Sequence, residues 1–167
     1  MASASSSPDR DPLDSISKDG FFTNEDAALG QRIQEMDDEA VPFASQRGLQ
    51  FCKYNVLDHP RIRPVLDSSF EWSALGLYRS FGPGSEVYTF DSAPESQMEI
   101  LIVMLWSKES RLFFWRGAHR HWLDPVEAAN SLLQVTRARL ELLGLEPEEY
   151  ALKDGGLLVN PSFKAII

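Results

Sequence analysis

The strongest constraint on this chain is the run 100–106, Ile-Leu-Ile-Val-Met-Leu-Trp, its longest uninterrupted apolar stretch. It is far shorter than the roughly 20 residues that span a bilayer. A short, nearly continuous apolar run bounded by turn residues reads as a strand buried on both faces. Residues 107–110 then turn the chain, and 111–116 return as an aromatic strand. A chain with such a pair at its centre is expected to be built on antiparallel β-structure.

The rest of the pattern is read around that pair. Residues 41–57 change to short apolar segments, of which 49–57 is aromatic and β-branched enough for a strand ended by Asp58-His59-Pro60. Residues 72–81 alternate as a strand before Gly82-Pro83-Gly84, and 87–90 is another. Residues 150–152, 157–159 and 162–167 read as strands around Asp154-Gly155-Gly156 and Asn160-Pro161. Two helices are expected. Leu29, Ile33 and Met36 fall at helical spacing after Thr23 and Asp26, giving a helix over 24–38. Asp124, Pro125 and Glu127 start a second, with Val126, Ala129, Leu133, Thr136, Leu140 and Leu143 on one stripe and Gly144 as its stop.

The 167 residues fit one domain. Residues 1–20 are rich in Ser, Asp and Pro and are expected to form a disordered acidic arm, with a single domain over 21–167. Ten acids against Arg10, Lys18 and Arg32 give residues 1–40 seven of the nine net negative charges, so the body is close to neutral. That balance argues against nucleic acid, whose binding rests on phosphate neutralisation. Cys52 is the one cysteine, which excludes an intrachain disulfide and a thiolate zinc cluster. With no signal-like or membrane-spanning stretch, a cytoplasmic protein is expected.

The candidate site is Arg116-Gly117-Ala118-His119-Arg120-His121-Trp122-Leu123-Asp124. If the aromatic strand runs past Gly117, then Phe113, Trp115, His119 and His121 share a face. Imidazoles two residues apart on one face can share a divalent ion, with Asp124 adding an oxygen. Against this, such histidines are commonly surface or hydrogen-bonded pairs, and Asp124 already caps the expected helix. Cys52, on an apolar strand, reads as a buried inert thiol, and His59, before Pro60, as exposed. The acids Glu146, Glu148 and Glu149 read as solvated.

The strand–turn–strand followed by Arg116-Gly117-Ala118-His119-Arg120 resembles the Pro-Gly-Ser-His-Arg segment of phytanoyl-CoA dioxygenase-like proteins. Gly155-Gly156-Leu157-Leu158-Val159-Asn160-Pro161 is similar to their Gly-Asp-hydrophobic strand. The order and spacing suit fungal relatives found in natural-product gene clusters. The resemblance implies a mainly β (α+β) fold, an antiparallel double-stranded β-helix or jelly roll with an N-terminal helix and one inserted helix. Positions are too few for eight strands unless 41–57 completes the barrel or a partner covers an open edge. The family's Fe(II) and 2-oxoglutarate chemistry does not transfer, because no His-x-Asp occurs and no His or Arg follows Gly156. A degenerate or truncated member is implied, with no assignable cofactor.

Function is then expected to be small-molecule binding without the iron triad, in an accessory or non-oxidative tailoring protein of isomerase or cyclase type in fungal secondary metabolism. Tyr78, Trp106 and Trp115 would line a pocket for a small hydrophobic molecule, His119 would act as general acid/base and Arg116 would hold an anion or carbonyl. The alternatives are a non-catalytic interaction protein, a partner of a full-length oxygenase that an exposed apolar edge at 162–167 would favour and dimerisation would test, or a metal-dependent enzyme using His119, His121 and Asp124; a homodimer or an oxygenase is the expected protein partner.

Overall fold

The computed structural model describes residues 11–80, 84, 86–90, 100–128 and 132–161, the side chains of His119 and Pro161 excepted. The expected strand at 162–167 and the turn at 82–84, apart from Gly84, lie outside the described residues. In chain order the elements are helix α1 (Pro12–Asp19), strand β1 (Phe22–Glu25), helices α2 (Ala27–Asp38), α3 (Gln46–Cys52) and α4 (Arg63–Ser69), and strands β2 (Val87–Thr89), β3 (Leu101–Trp106) and β4 (Ser110–Trp115). Strands β5 (Val126–Glu127) and β6 (Leu133–Val135), helix α5 (Arg137–Leu142) and strands β7 (Pro147–Leu152) and β8 (Gly156–Pro161) follow.

The strands form three small sheets, ordered β1-β8-β3, β2-β6-β5 and β4-β7. All their pairings are antiparallel. This is a mixed α/β fold with neither a closed barrel nor a curled jelly roll among the described residues, which overturns the expected double-stranded β-helix. The reason lies in how β3 and β4 are used. They do not return on each other as a hairpin. β3 pairs with β8, from Leu101↔Pro161 to Trp106↔Gly156, and β4 pairs with β7, from Ser110↔Leu152 to Trp115↔Pro147. The second ladder continues the register of the first without a slip, and the Glu109 N–H donates to the Lys153 carbonyl between them at 3.1 Å. Residues 101–115 and 147–161 are thus one antiparallel ribbon with a corner at 107–109 and 153–155. Glu109 (φ 60°) and Gly155 (φ 83°) supply its left-handed backbone.

Helix α2 seats on that corner. A Cβ on Gly30 would stand 2.1 Å from the Asp154 carbonyl oxygen, and one on Gly155 2.6 Å from the Gly30 Cα and 2.7 Å from the Trp106 carbonyl oxygen. The Asp26 N–H donates to the Gly155 carbonyl at 3.1 Å, and the Asp26 carboxylate caps α2 by accepting from the Leu29 N–H at 2.9 Å. The strand buried on both faces is β8, not β3. Leu157 and Val159 join Ile16, Phe22, Leu29, Ile62, Val65 and Leu66 on the helical side. Leu158 joins Phe21, Leu112, Phe114 and Leu152 on the other. As an edge strand, β3 is half-buried throughout.

Three local expectations give way to tertiary context. Residues 12–19, read as part of the arm, form α1, capped by Asp11 and closed by left-handed Gly20, with Ile16 buried. Residues 49–57, read as a strand, are helical: Ser45 caps α3 by accepting from the Gly48 N–H, and the π-helical turn Lys53–Leu57 extends it. Buried Gly48, Cys52 and Asn55 follow helical spacing, which outweighs β-propensity. Where a helix over 125–143 is expected, the described residues form an antiparallel strand pair and a short helix. Asp124 lies at φ 52°, outside the extended geometry of an N-cap, so β5 pairs with β6 and β6 with β2. The cap of α5 is Thr136. Gly144 does end the helix, its N–H bonding the Glu141 carbonyl and that of Leu145 the Leu140 carbonyl, a Schellman closure.

Two substitutions check this account by chemical denaturation. Gly30→Ala drives a methyl into the corner backbone and is expected to cost about 3 kcal/mol; a loss under about 0.5 kcal/mol would contradict the contact. Ala40, at φ 47°, closes α2 with the same pair of bonds, to Asp37 and from Val41 to Met36. Ala40→Gly removes the left-handed strain and is expected to stabilise by about 1 kcal/mol.

Candidate functional site

The segment leaving β4 is built by two arginines and a glycine. Gly117, at φ 82°, turns the backbone out of the strand, and a single 3-10 turn, Ala118–Arg120, follows. The strand therefore stops at Trp115, and the face shared by Phe113 and Trp115 does not continue to His119 and His121. Ala118 is buried beside Trp115, Val135 and Leu140. The side chain of His119 lies outside the described residues, His121 is half-buried and Asp124 exposed. Among the described residues no three His, Cys, Asp or Glu side chains gather to hold a metal ion.

Arg116 is engaged by the fold itself. Its guanidinium meets Glu148 with two bonds, Nε to Oε2 at 2.9 Å and Nη2 to Oε1 at 3.2 Å. It also donates to the Tyr150 hydroxyl at 2.8 Å and pairs with Asp19 of α1 at 2.5 Å. The hydrogen-bonded Arg116 holds the Glu148 carboxyl below its usual range, and burial raises the Tyr150 hydroxyl. Arg120 adds a bond to the Lys18 carbonyl at 3.3 Å. Two cations at the C-terminal end of α1 complement its dipole, so this pair ties α1 to the ribbon.

The three aromatic side chains expected around one pocket sit in separate places. Trp115 packs in the cluster under β6 and α5. Trp106 packs against the cluster of Phe114 and Leu158, its indole N–H buried with no hydrogen-bond partner among the described residues. Tyr78 lies at the end of the irregular stretch 71–80, with its ring edge-on to Phe43 at 5.0 Å and its hydroxyl donating to the Gly48 carbonyl at 3.3 Å. Burial pushes that hydroxyl up to about 12. It likewise raises the Cys52 thiol on α3, away from thiolate chemistry.

Sequence reasoning missed His59, expected to be exposed and in fact 7% exposed. Its Nδ1 accepts from the Arg61 N–H at 3.2 Å, so in the neutral ring the proton sits on Nε2, facing Asp26 Oδ2 at 3.8 Å. Neither nitrogen is left as a base, and the role is to join the 58–62 loop to the start of α2. Nothing local signals this, because Asp26 lies far earlier in the chain. Burial lowers the His59 pKa below the ordinary 6.5, aided by the Arg32 and Arg61 charges and opposed by Asp26. The unfolded chain therefore binds this proton at higher pH than the folded one. The stabilisation is complete above about pH 6.5 and lost as pH falls through the folded value. Stability is expected to drop between pH 7 and 5.5, with a flatter profile in His59→Gln; an unchanged slope would remove His59 from the account.

The second feature missed is an exposed apolar stretch. Trp72 is 79% exposed, Leu75 51% and Leu77 63%, in the region expected to be a strand. Among the described residues it joins no sheet. A Cβ on Gly76 would meet nothing within 4 Å among the described residues.

No protein-family model matches the chain, and no curated protein and no solved structure matches it. With the sheets open and small, this removes the resemblance to phytanoyl-CoA dioxygenase-like proteins. With it go the readings as a non-oxidative tailoring protein of fungal secondary metabolism and as a partner of a full-length oxygenase. Among the described residues no helix is long and apolar enough to cross a membrane.

Proposed function

We propose that the chain is a protein-binding domain whose contact surface is the segment 71–79. One observation carries the reading: three large apolar side chains, Trp72, Leu75 and Leu77, stand in water on six consecutive residues. The segment is held at both ends, by Phe70 packed against the helical-side core and by Tyr78 on Phe43 and Gly48. Leaving a tryptophan this exposed forgoes about 2–3 kcal/mol of burial, which a partner can supply. A tryptophan and two leucines with no charge over 72–78 give the segment the composition of an interface centre, and large apolar side chains grouped in an exposed segment of a folded chain mark an interaction site. The groups first considered for chemistry support binding over catalysis, since Arg116 is held by two carboxylates and a tyrosine.

Residues kept for a partner are dispensable for folding. The double substitution Trp72→Ser with Leu77→Ser is expected to change the stability of dilute protein by less than about 0.5 kcal/mol. A photo-crosslinking side chain at position 72 is expected to give a discrete protein adduct that the same group at Leu142, itself 78% exposed, does not. A stability loss above about 2 kcal/mol, or equal crosslinking at both positions, would place the segment in the folding core or make it ordinary surface.

A further inference from the structure

We infer that β3 pairs with β3 of a second copy of this chain, antiparallel across a two-fold axis at Val103, a contact separate from segment 71–79. β3 is half-buried throughout and bonds to β8 along one edge. Among the described residues no strand pairs with its other edge. An open edge is a row of backbone N–H and C=O groups that a further strand satisfies, and folded chains protect such edges with charge, proline or shortness. The other outer strands of this fold are protected in those ways. β1 carries Asn24 and Glu25, β2 and β5 have three and two residues, β4 carries Arg111, and β7 carries Pro147 and Glu148. β3 has neither charge nor proline over its six residues.

Two features select a second copy as the occupant. The first is closure. Pairing β3 with its mate gives the strand order β1-β8-β3-β3-β8-β1, whose outer strands are both the short, polar β1, so a single contact removes both open edges and association stops at two. A strand from an unrelated protein would bring a further edge of its own. The second is register. Val103 is the midpoint of the apolar run 100–106. A two-fold axis there sets Val103 opposite itself, Leu101 opposite Leu105, Ile102 opposite Met104 and Ile100 opposite Trp106, apolar against apolar along the whole run. The partners in each pair belong to one face, as a joined sheet requires: Leu101, Val103 and Leu105 on the helical side, Met104 and Trp106 on the aromatic side. An axis at Met104 would instead set Lys108 opposite Ile100. The pairing also covers Ile100, 53% exposed in the single chain. The contact is short, and a dimer with a Kd on the order of ten micromolar is expected.

Sedimentation of the full chain from about 1 to 500 μM, a range bracketing that affinity, is expected to show a monomer–dimer equilibrium. Ile102→Lys places a charge opposite Met104 twice in the dimer and is expected to weaken it more than tenfold. Trp72→Ser with Leu77→Ser leaves it unchanged, because segment 71–79 takes no part. The register is read on the unaltered chain, so that the test does not depend on a variant that folds. In a mixture of isotope-labelled and unlabelled copies, intermolecular NOEs are expected from Ile102 to Met104 and from Ile100 to Trp106. A chain that stays monomeric at about 500 μM would overturn the inference, as would a dimer with no intermolecular NOE across 100–106. A dimer lost in the Trp72 and Leu77 double variant but kept in Ile102→Lys would also overturn it, while leaving segment 71–79 standing as a contact surface.

Discussion

The close approach of Gly30 to Gly155 is the contact on which the rest of the structure depends. A corner in a two-stranded ribbon exposes backbone and wastes packing unless something fills its concave side. Here α2 fills it, and only glycine at both positions lets backbone meet backbone. The seating brings Asp26 to the Gly155 carbonyl and to His59, which draws in the 58–62 loop and then α4. It also fixes which face of β8 receives the helices, so that Leu157 and Val159 are covered by α1, α2 and α4 while Leu158 is left for the aromatic side. Burial of those three residues on the central strand is worth several kcal/mol.

What the sequence made legible was local. Strands at 87–89, 101–106, 110–115 and 157–159, the helix ending at Asp38 and the Gly144 stop all follow from period, composition and capping chemistry within a few residues. Pairing was not legible, and fold class is a statement about pairing. The pattern 100–116 fits a hairpin as well as it fits one half of a bent ribbon, and the difference lies in residues 147–161, which no local pattern links to it. The stripe from Val126 to Leu143 shows the converse error. Its helical spacing is real, but Leu133 and Val135 gain more by pairing with β2, an instance of tertiary context overriding propensity. The family resemblance rested on the same local strand–turn–strand pattern and inherited the same ambiguity.

The candidate sites divide along a similar line. Residues that looked reactive by type, such as Arg116, are engaged by the fold through partners in α1 and β7, which only the three-dimensional arrangement brings together. The surface now favoured was hidden by its strand-like alternation, since exposed and buried apolar strands share one pattern. What distinguishes 71–79 is that no sheet receives it among the described residues.

Backbone amide hydrogen exchange in dilute protein tests this account most directly. The amides of the two ribbon ladders are expected to be protected while those of 72–77 exchange quickly. Slow exchange of 72–77 in dilute protein would contradict the account, because the segment would then belong to the fold rather than to a partner.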